Sequence, residues 1–158
     1  MNDPISDPGE RPPRIRPPFV GALYLLVAWG LDATLSGMRV IDGIWRWLGV
    51  VPILDGLAVI VWAIVLFRQR QTTHDVRETP TALVEAGPYR VTRNPMYWGV
   101  ALILLGIGIC VGTWPFLLTP LAFLLTMNSL YVPREERILE RAIGQEYREY
   151  RKRVRRWL

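Results

Sequence analysis

The sequence predicts an all-α integral membrane protein: a bundle of about four transmembrane helices followed by a cytoplasmic amphipathic C-terminal helix. Three observations carry that reading. Hydrophobic residues make up 51% of the 158-residue chain. No Asp, Glu, Lys, Arg or His occurs between Arg93 and Arg134, and these forty residues would extend about 60 Å as one helix, twice the roughly 30 Å of a hydrocarbon core, so the chain must turn back. The third observation is where the basic residues sit. The net charge of +5 could suit a nucleic-acid binder, but the Lys and Arg lie between apolar runs. That is the pattern of loops retained in the cytoplasm, and no nucleic-acid partner is expected.

Residues 1–18 are Pro-rich and of mixed charge. They lack the basic start and short apolar stretch of a signal peptide and are expected to form a disordered cytoplasmic tail. The first apolar run, 19–35, is interrupted only by Asp32 and ends at Ser36-Gly37. A linker with Arg39, Asp42 and Arg46 leads to the second run, 49–67, which Arg68-Gln69-Arg70 closes. Asp55 lies inside this run and is costly in lipid, which makes it a functional candidate by default. Its neighbours Pro52 and Gly56 favour a helix that begins nearer Leu57, leaving Asp55 in an external turn.

Residues 68–95 are rich in charge, Thr, Pro and Gly and read as a connecting loop. The runs at about 96–112 and 115–132 form a helical hairpin around the turn Gly112-Thr113-Trp114-Pro115. In residues 134–158, Leu139, Ile143, Tyr147, Tyr150, Val154 and Trp157 recur at steps of three or four, the period of an amphipathic helical tail, with a bend expected at Gly144. Its apolar stripe would lie at the headgroup boundary or on the hairpin, and its basic face would meet anionic lipid. Basic residues number three in 1–18, two in the first linker, five in 68–95, none in the hairpin turn and nine in the tail. Four crossings with both termini cytoplasmic put seventeen of the nineteen on one side.

That side is also where polar chemistry can gather. The segment Gly87-Pro88-Tyr89-Arg90-Val91-Thr92-Arg93-Asn94-Pro95-Met96-Tyr97-Trp98-Gly99 enters the third run, and Arg134-Glu135-Glu136-Arg137 leaves the fourth. A hairpin makes its two open ends neighbours, so arginines and an asparagine face a pair of carboxylates. Two readings remain open at this point. One is a salt-bridged cap on the hairpin with Tyr97 and Trp98 as interface aromatics. The other is a pocket for a zwitterion, where Arg grips a carboxylate, Glu an ammonium group, and the helix start adds backbone donors.

Other features carry less. Gly106-Ile107-Gly108 follows no strand, and small residues four apart in an apolar helix suit close helix packing. His74 is a single loop histidine and Cys110 a single cysteine, so no disulfide is available within the chain and no metal is expected.

The ordered set Gly87-Pro88-Tyr89-Arg90, Arg93-Asn94-Pro95-Met96-Tyr97-Trp98-Gly99, an apolar hairpin, Arg134-Glu135-Glu136, Gly144-Gln145-Glu146-Tyr147 with Tyr150, and the Arg156-Trp157 end resembles the isoprenylcysteine carboxyl methyltransferase family. Residues 94–99 also resemble the corresponding stretch of phosphatidylethanolamine N-methyltransferases. The resemblance implies S-adenosyl-L-methionine as cofactor, bound at the cytoplasmic side, and a lipophilic or small-molecule methyl acceptor reached through the bilayer. It implies that Arg93, Asn94 and Tyr97 are catalytic. With Arg90, Pro95 and Gly99 they would shape the cofactor cradle, and Glu135 and Glu136 would engage the ammonium or ribose hydroxyls. Many members have His where this chain has Asn94, and Asn cannot titrate as a base near neutrality. An isoprenylcysteine-like carboxylate is the first acceptor implied, with phospholipid amines and thiols as alternatives. The rivals to a methyltransferase are a nicotinamide-binding reductase, since membrane sterol reductases have a distantly similar C-terminal region, and a non-catalytic membrane protein.

Overall fold

The computed structural model describes residues 15–34, 39–69 and 83–158. Among them every regular element is helical: α1 Pro17–Thr34, α2 Val50–Gln69, α3 Pro95–Val111, α4 Trp114–Thr126, α5 Val132–Ile143 and α6 Gln145–Arg153. Tight 3-10 turns at Gly43–Gly49 and Gly87–Arg90 lead toward α2 and α3, and a π-wound turn at Met127–Tyr131 joins α4 to α5. Residues 1–14, most of the expected N-terminal tail, and His74 lie outside the described residues. The elements form two compact units, one of Ile15–Ile60 with Met96–Met127, the other containing Val61–Pro95 and Asn128–Leu158.

The first unit is built on a glycine seam. Gly49, the last residue of the 3-10 turn that runs into α2, lies seven residues before Gly56, and Gly99 and Gly106 lie seven apart on α3, so each pair marks one helical face every two turns. A Cβ added at Gly49 would strike the Gly106 carbonyl oxygen, one at Gly106 the Gly49 carbonyl, and one at Gly56 the Gly99 carbonyl. At Gly99 it would stand 2.6 Å from Ile60 Cγ1 and 2.8 Å from the Gly56 oxygen. Only residues without a side chain let two helix backbones come this close. Tyr24 on α1 and Thr126 on α4 share a hydrogen bond of 2.6 Å. Within α4, Pro120 has no N–H to give the carbonyl of Phe116, and the Thr119 hydroxyl donates to that same oxygen at 2.7 Å.

The α3–α4 turn is strapped by the linker before α2. Gly112 has φ +82°, and its carbonyl accepts from the amides of Val40 at 2.7 Å and Ile41 at 3.1 Å. Arg46 Nε donates to the Cys110 carbonyl at 2.6 Å, which satisfies one of the acceptors a helix leaves open at its C-terminus.

The outward surfaces are apolar: Leu23, Leu26 and Trp29 on α1, Val51, Leu54 and Leu57 on α2, and Leu118, Leu121 and Leu125 on α4 are all exposed. A helix in the core of a soluble domain buries such residues. Gly43–Gln69, with 27 residues, and Trp114–Ile143, with 30, are long and apolar enough to cross a membrane.

One expectation is corrected here. The α2 helix begins at Val50, not near Leu57, so Asp55 sits within the helix with its side chain exposed. Pro52 does not break the helix because it occupies the first turn, where a missing N–H costs no intrahelical bond. Gly56 does not break it either, because its lack of a side chain serves the approach to α3.

In the second unit, Gly87 has φ +57° and an added Cβ there would lie 2.8 Å from Leu66 Cδ1 and 2.9 Å from Trp62 Cε2. The turn it opens buries Tyr89, which meets Phe67 edge-on at 5.4 Å. The α5 and α6 helices are separated at Gly144, whose φ of +70° and ψ of −124° favour glycine. Tyr147 and Tyr150 on α6 are buried. A helical tail continuing to residue 158 does not form. The α6 helix ends at Arg153, Val154 is extended, and the last residues run beside residues 92–94, with Arg93 N donating to the Arg155 carbonyl at 2.9 Å. Hydrogen bonds to the 92–94 loop replace the helical ones at these positions.

Candidate functional site

The polar cluster of the second unit is centred on Glu136, in the first turns of α5, with a side chain only 8% exposed. Burying a carboxylate this deeply is tolerable only if it is paired. Two guanidinium groups reach it. Arg156 grips it at two points, Nε to Oε1 at 3.1 Å and Nη2 to Oε2 at 2.6 Å. Arg93, itself 11% exposed, brings Nη1 to 2.7 Å from Oε1. That second contact is an ion pair without an aligned hydrogen bond: Arg93 Nη1 and Nε are buried and neither has a hydrogen-bond partner.

The loop and the tail hold each other in place around this pairing. The Arg156 carbonyl accepts from Thr92 Oγ1 at 2.9 Å and from Asn94 Nδ2 at 3.0 Å, and Thr92 Oγ1 also accepts from Asn94 N at 3.2 Å. Asn128, presented by the π-wound turn, accepts at Oδ1 from Trp157 Nε1 at 3.0 Å and from Arg156 Nη1 at 3.3 Å. Tyr150 donates to the Tyr89 carbonyl at 2.7 Å. Farther out, Arg153 pairs with Glu85 at 3.0 Å and Arg151 with Glu140 at 2.8 Å.

Burial sets the protonation of the nearby phenols. Tyr147 is pushed up to about 12, first by desolvation and then by the Glu136 charge, partly offset by its hydrogen bond to Arg93. Tyr89 and Tyr150 are raised further, in each case chiefly by burial. All three are neutral at physiological pH and cannot serve as bases. Arg156 is raised by its hydrogen bonds to Glu136, so its charge is secure.

The structure thus brings Arg93, Asn94 and Glu136 together. Glu135 lies one residue away in the same turn, half-buried, with its charge felt at Tyr89. Pro95 is buried and opens α3, whereas Arg90 points to an exposed surface. Tyr97 and Gly99 belong to the first unit, where Tyr97 meets Phe123 edge-on at 6.4 Å and Gly99 lies in the glycine seam. Sequence reading missed Asn128 and Arg156. The Arg156-Trp157 pair was visible as the end of the resembling pattern, but nothing in its spacing tells that Arg156 turns inward while Arg155 stays exposed.

Residues 44–146, about two thirds of the chain, match the phospholipid methyltransferase family. The chain belongs to this family. The matched stretch contains Arg93, Asn94, Asn128, Glu135 and Glu136. The chain is also 41% identical over 63 residues to an uncharacterized protein of Haemophilus influenzae, a match covering 40% of this chain and all of that relative. No solved structure matches it. Family membership makes this chain a membrane methyltransferase, and the apolar, outward-facing helices agree with a place in the bilayer.

Proposed function

We propose that the protein is an S-adenosyl-L-methionine-dependent methyltransferase that crosses the membrane about four times, with its termini and the 68–95 loop in the cytoplasm. The acceptor is a lipophilic molecule that enters from the bilayer. The observation that carries the cofactor assignment is Arg93, a buried guanidinium whose Nε has no hydrogen-bond partner and whose Nη1 has only an unaligned ion pair to Glu136, beside Glu135. A buried unmatched donor is costly, and a ligand carboxylate would satisfy it. Arg93 would take that carboxylate and Glu135 the adjacent ammonium group. Glu136, held between two guanidiniums, would fix the orientation of Arg93. Asn94, tied through Nδ2 to the tail, would fix the loop instead of acting as a base.

When bound, the cofactor supplies a methyl group already activated by its sulfonium. The remaining task of the chain is to align the acceptor and exclude water. A carboxylate or thiolate acceptor needs no base, and the three buried phenols are too weakly acidic to provide one. This favours O-methylation of an isoprenylcysteine-like carboxylate. The family match supports a second reading, N-methylation of a phospholipid amine, in which Glu135 would accept the ammonium proton before transfer.

Membranes containing the protein, incubated with methyl-labelled cofactor, test both. The label is expected in the lipid fraction and is expected to be released as methanol by mild alkali, as a methyl ester requires. Alkali-stable label on an amine would select the second reading. Absence of label from lipid and small acceptors alike, with folded protein, would contradict both.

A further inference from the structure

We propose that Arg156 is a positioning residue for the cofactor site: by gripping Glu136 at two points it keeps the Arg93 guanidinium available to an incoming carboxylate. The inference rests on the reading that Arg93 binds S-adenosylmethionine. Its basis is a competition visible in the geometry. Glu136 has one carboxylate and two guanidiniums within ion-pairing reach, and a carboxylate offers its best two-point geometry to one fork at a time.

Arg156 has that position, through Nε and Nη2. It is held there from both ends. Its third nitrogen, Nη1, donates to Asn128, its own carbonyl is tied to Thr92 and Asn94, and the next residue, Trp157, shares the Asn128 acceptor. Arg93 is left with the off-axis contact, and its Nε and Nη1 remain without hydrogen-bond partners. If the Arg156 grip is removed, Glu136 is free to turn into a two-point pair with Arg93, and the donors meant for the ligand are consumed. A tail residue far from Arg93 in sequence would then govern cofactor affinity through the carboxylate they share.

The test is calorimetric titration of the purified full chain in detergent with S-adenosylhomocysteine, alongside thermal unfolding without ligand. Arg156→Ala is expected to weaken binding about tenfold or more, the scale of a charge-assisted hydrogen bond. Glu136→Gln is expected to weaken binding too, because Glu136 orients Arg93, but its neutral amide cannot capture Arg93 as a carboxylate does. Adding Arg156→Ala to Glu136→Gln is therefore expected to weaken binding by less than about threefold more, well short of the loss it causes beside the native carboxylate. If Arg156 acted independently of Glu136, its removal would weaken binding by the same factor in either background.

Arg156→Lys keeps the charge but cannot fork, and is expected to weaken binding at unchanged Tm, so the inference stays testable if Arg156→Ala does not fold. Wild-type affinity in Arg156→Ala or Arg156→Lys would overturn the inference, as would an Arg156→Ala loss of equal size in the wild-type and Glu136→Gln backgrounds. Failure of folded wild type to bind S-adenosylhomocysteine would overturn the cofactor reading beneath it.

Discussion

The glycine seam of the first unit and the Glu136 cluster of the second are both close-packed, and they are close-packed for opposite reasons. At the seam, side chains are removed so that Gly49, Gly56, Gly99 and Gly106 bring two backbones together, and nothing charged is involved. At the cluster, three charged side chains are buried or half-buried together, and each is tolerated because another is present. A seam of this kind fails when atoms are added. A buried ion cluster fails when atoms are taken away.

The largest expected effect therefore comes from deletion at the cluster. Glu136→Ala leaves two guanidiniums without their shared carboxylate and is expected to cost about 3–5 kcal/mol of stability, measured as a fall in Tm and in denaturant midpoint in detergent. Addition at the seam comes next. Gly106→Leu pushes a side chain into the Gly49 carbonyl and Ile53, and is expected to cost up to about 3 kcal/mol by the same measurement. If Gly106→Leu proved harmless, the seam would not be the close contact described above.

Alkali should sharpen the contrast, because only the cluster titrates. The folded state raises Tyr147 from 10.0 to about 12, so this phenol favours the folded protein fully below pH 10, and that contribution is lost as pH climbs through 12. Tm is expected to hold up to about pH 10 and then fall, with Tyr147→Phe flattening the part of the fall that belongs to this residue. The smallest effect is expected at the rim. Arg153, 62% exposed in its pair with Glu85, should change stability by no more than about 1 kcal/mol as Arg153→Ala. A large loss there would mean that the exposed ion pairs matter as much as the buried one.

The two regions also differed in how far the sequence revealed them. The helices lie on the apolar runs, whose boundaries are set by local chemistry such as Arg68-Gln69-Arg70 and Gly112-Thr113. Even there, Pro52 and Gly56 pointed to a later start of α2, because their helix-breaking tendency is easier to see in a sequence than the partner helix that needs a glycine. The approach of Arg93 to Glu136 could be argued from hairpin geometry alone. The inward turn of Arg156 could not. A helical period seen through Tyr147 and Tyr150 continues formally to Val154 and Trp157, while the backbone has left the helix to bond with residues 92–94. Pairings between segments about sixty residues apart leave no periodicity to read.

The proposed cofactor site is the loop before α3 with the turn opening α5, which would hold S-adenosylmethionine through Arg93. The most direct measurement is a calorimetric titration of the purified protein in detergent with S-adenosylhomocysteine and, separately, with NADPH, for wild type and Arg93→Ala. Wild type is expected to bind S-adenosylhomocysteine in the micromolar range, about 8 kcal/mol, and Arg93→Ala much more weakly, with no binding of NADPH by either. Tight NADPH binding by folded wild-type protein, with no response to S-adenosylhomocysteine, would contradict the account.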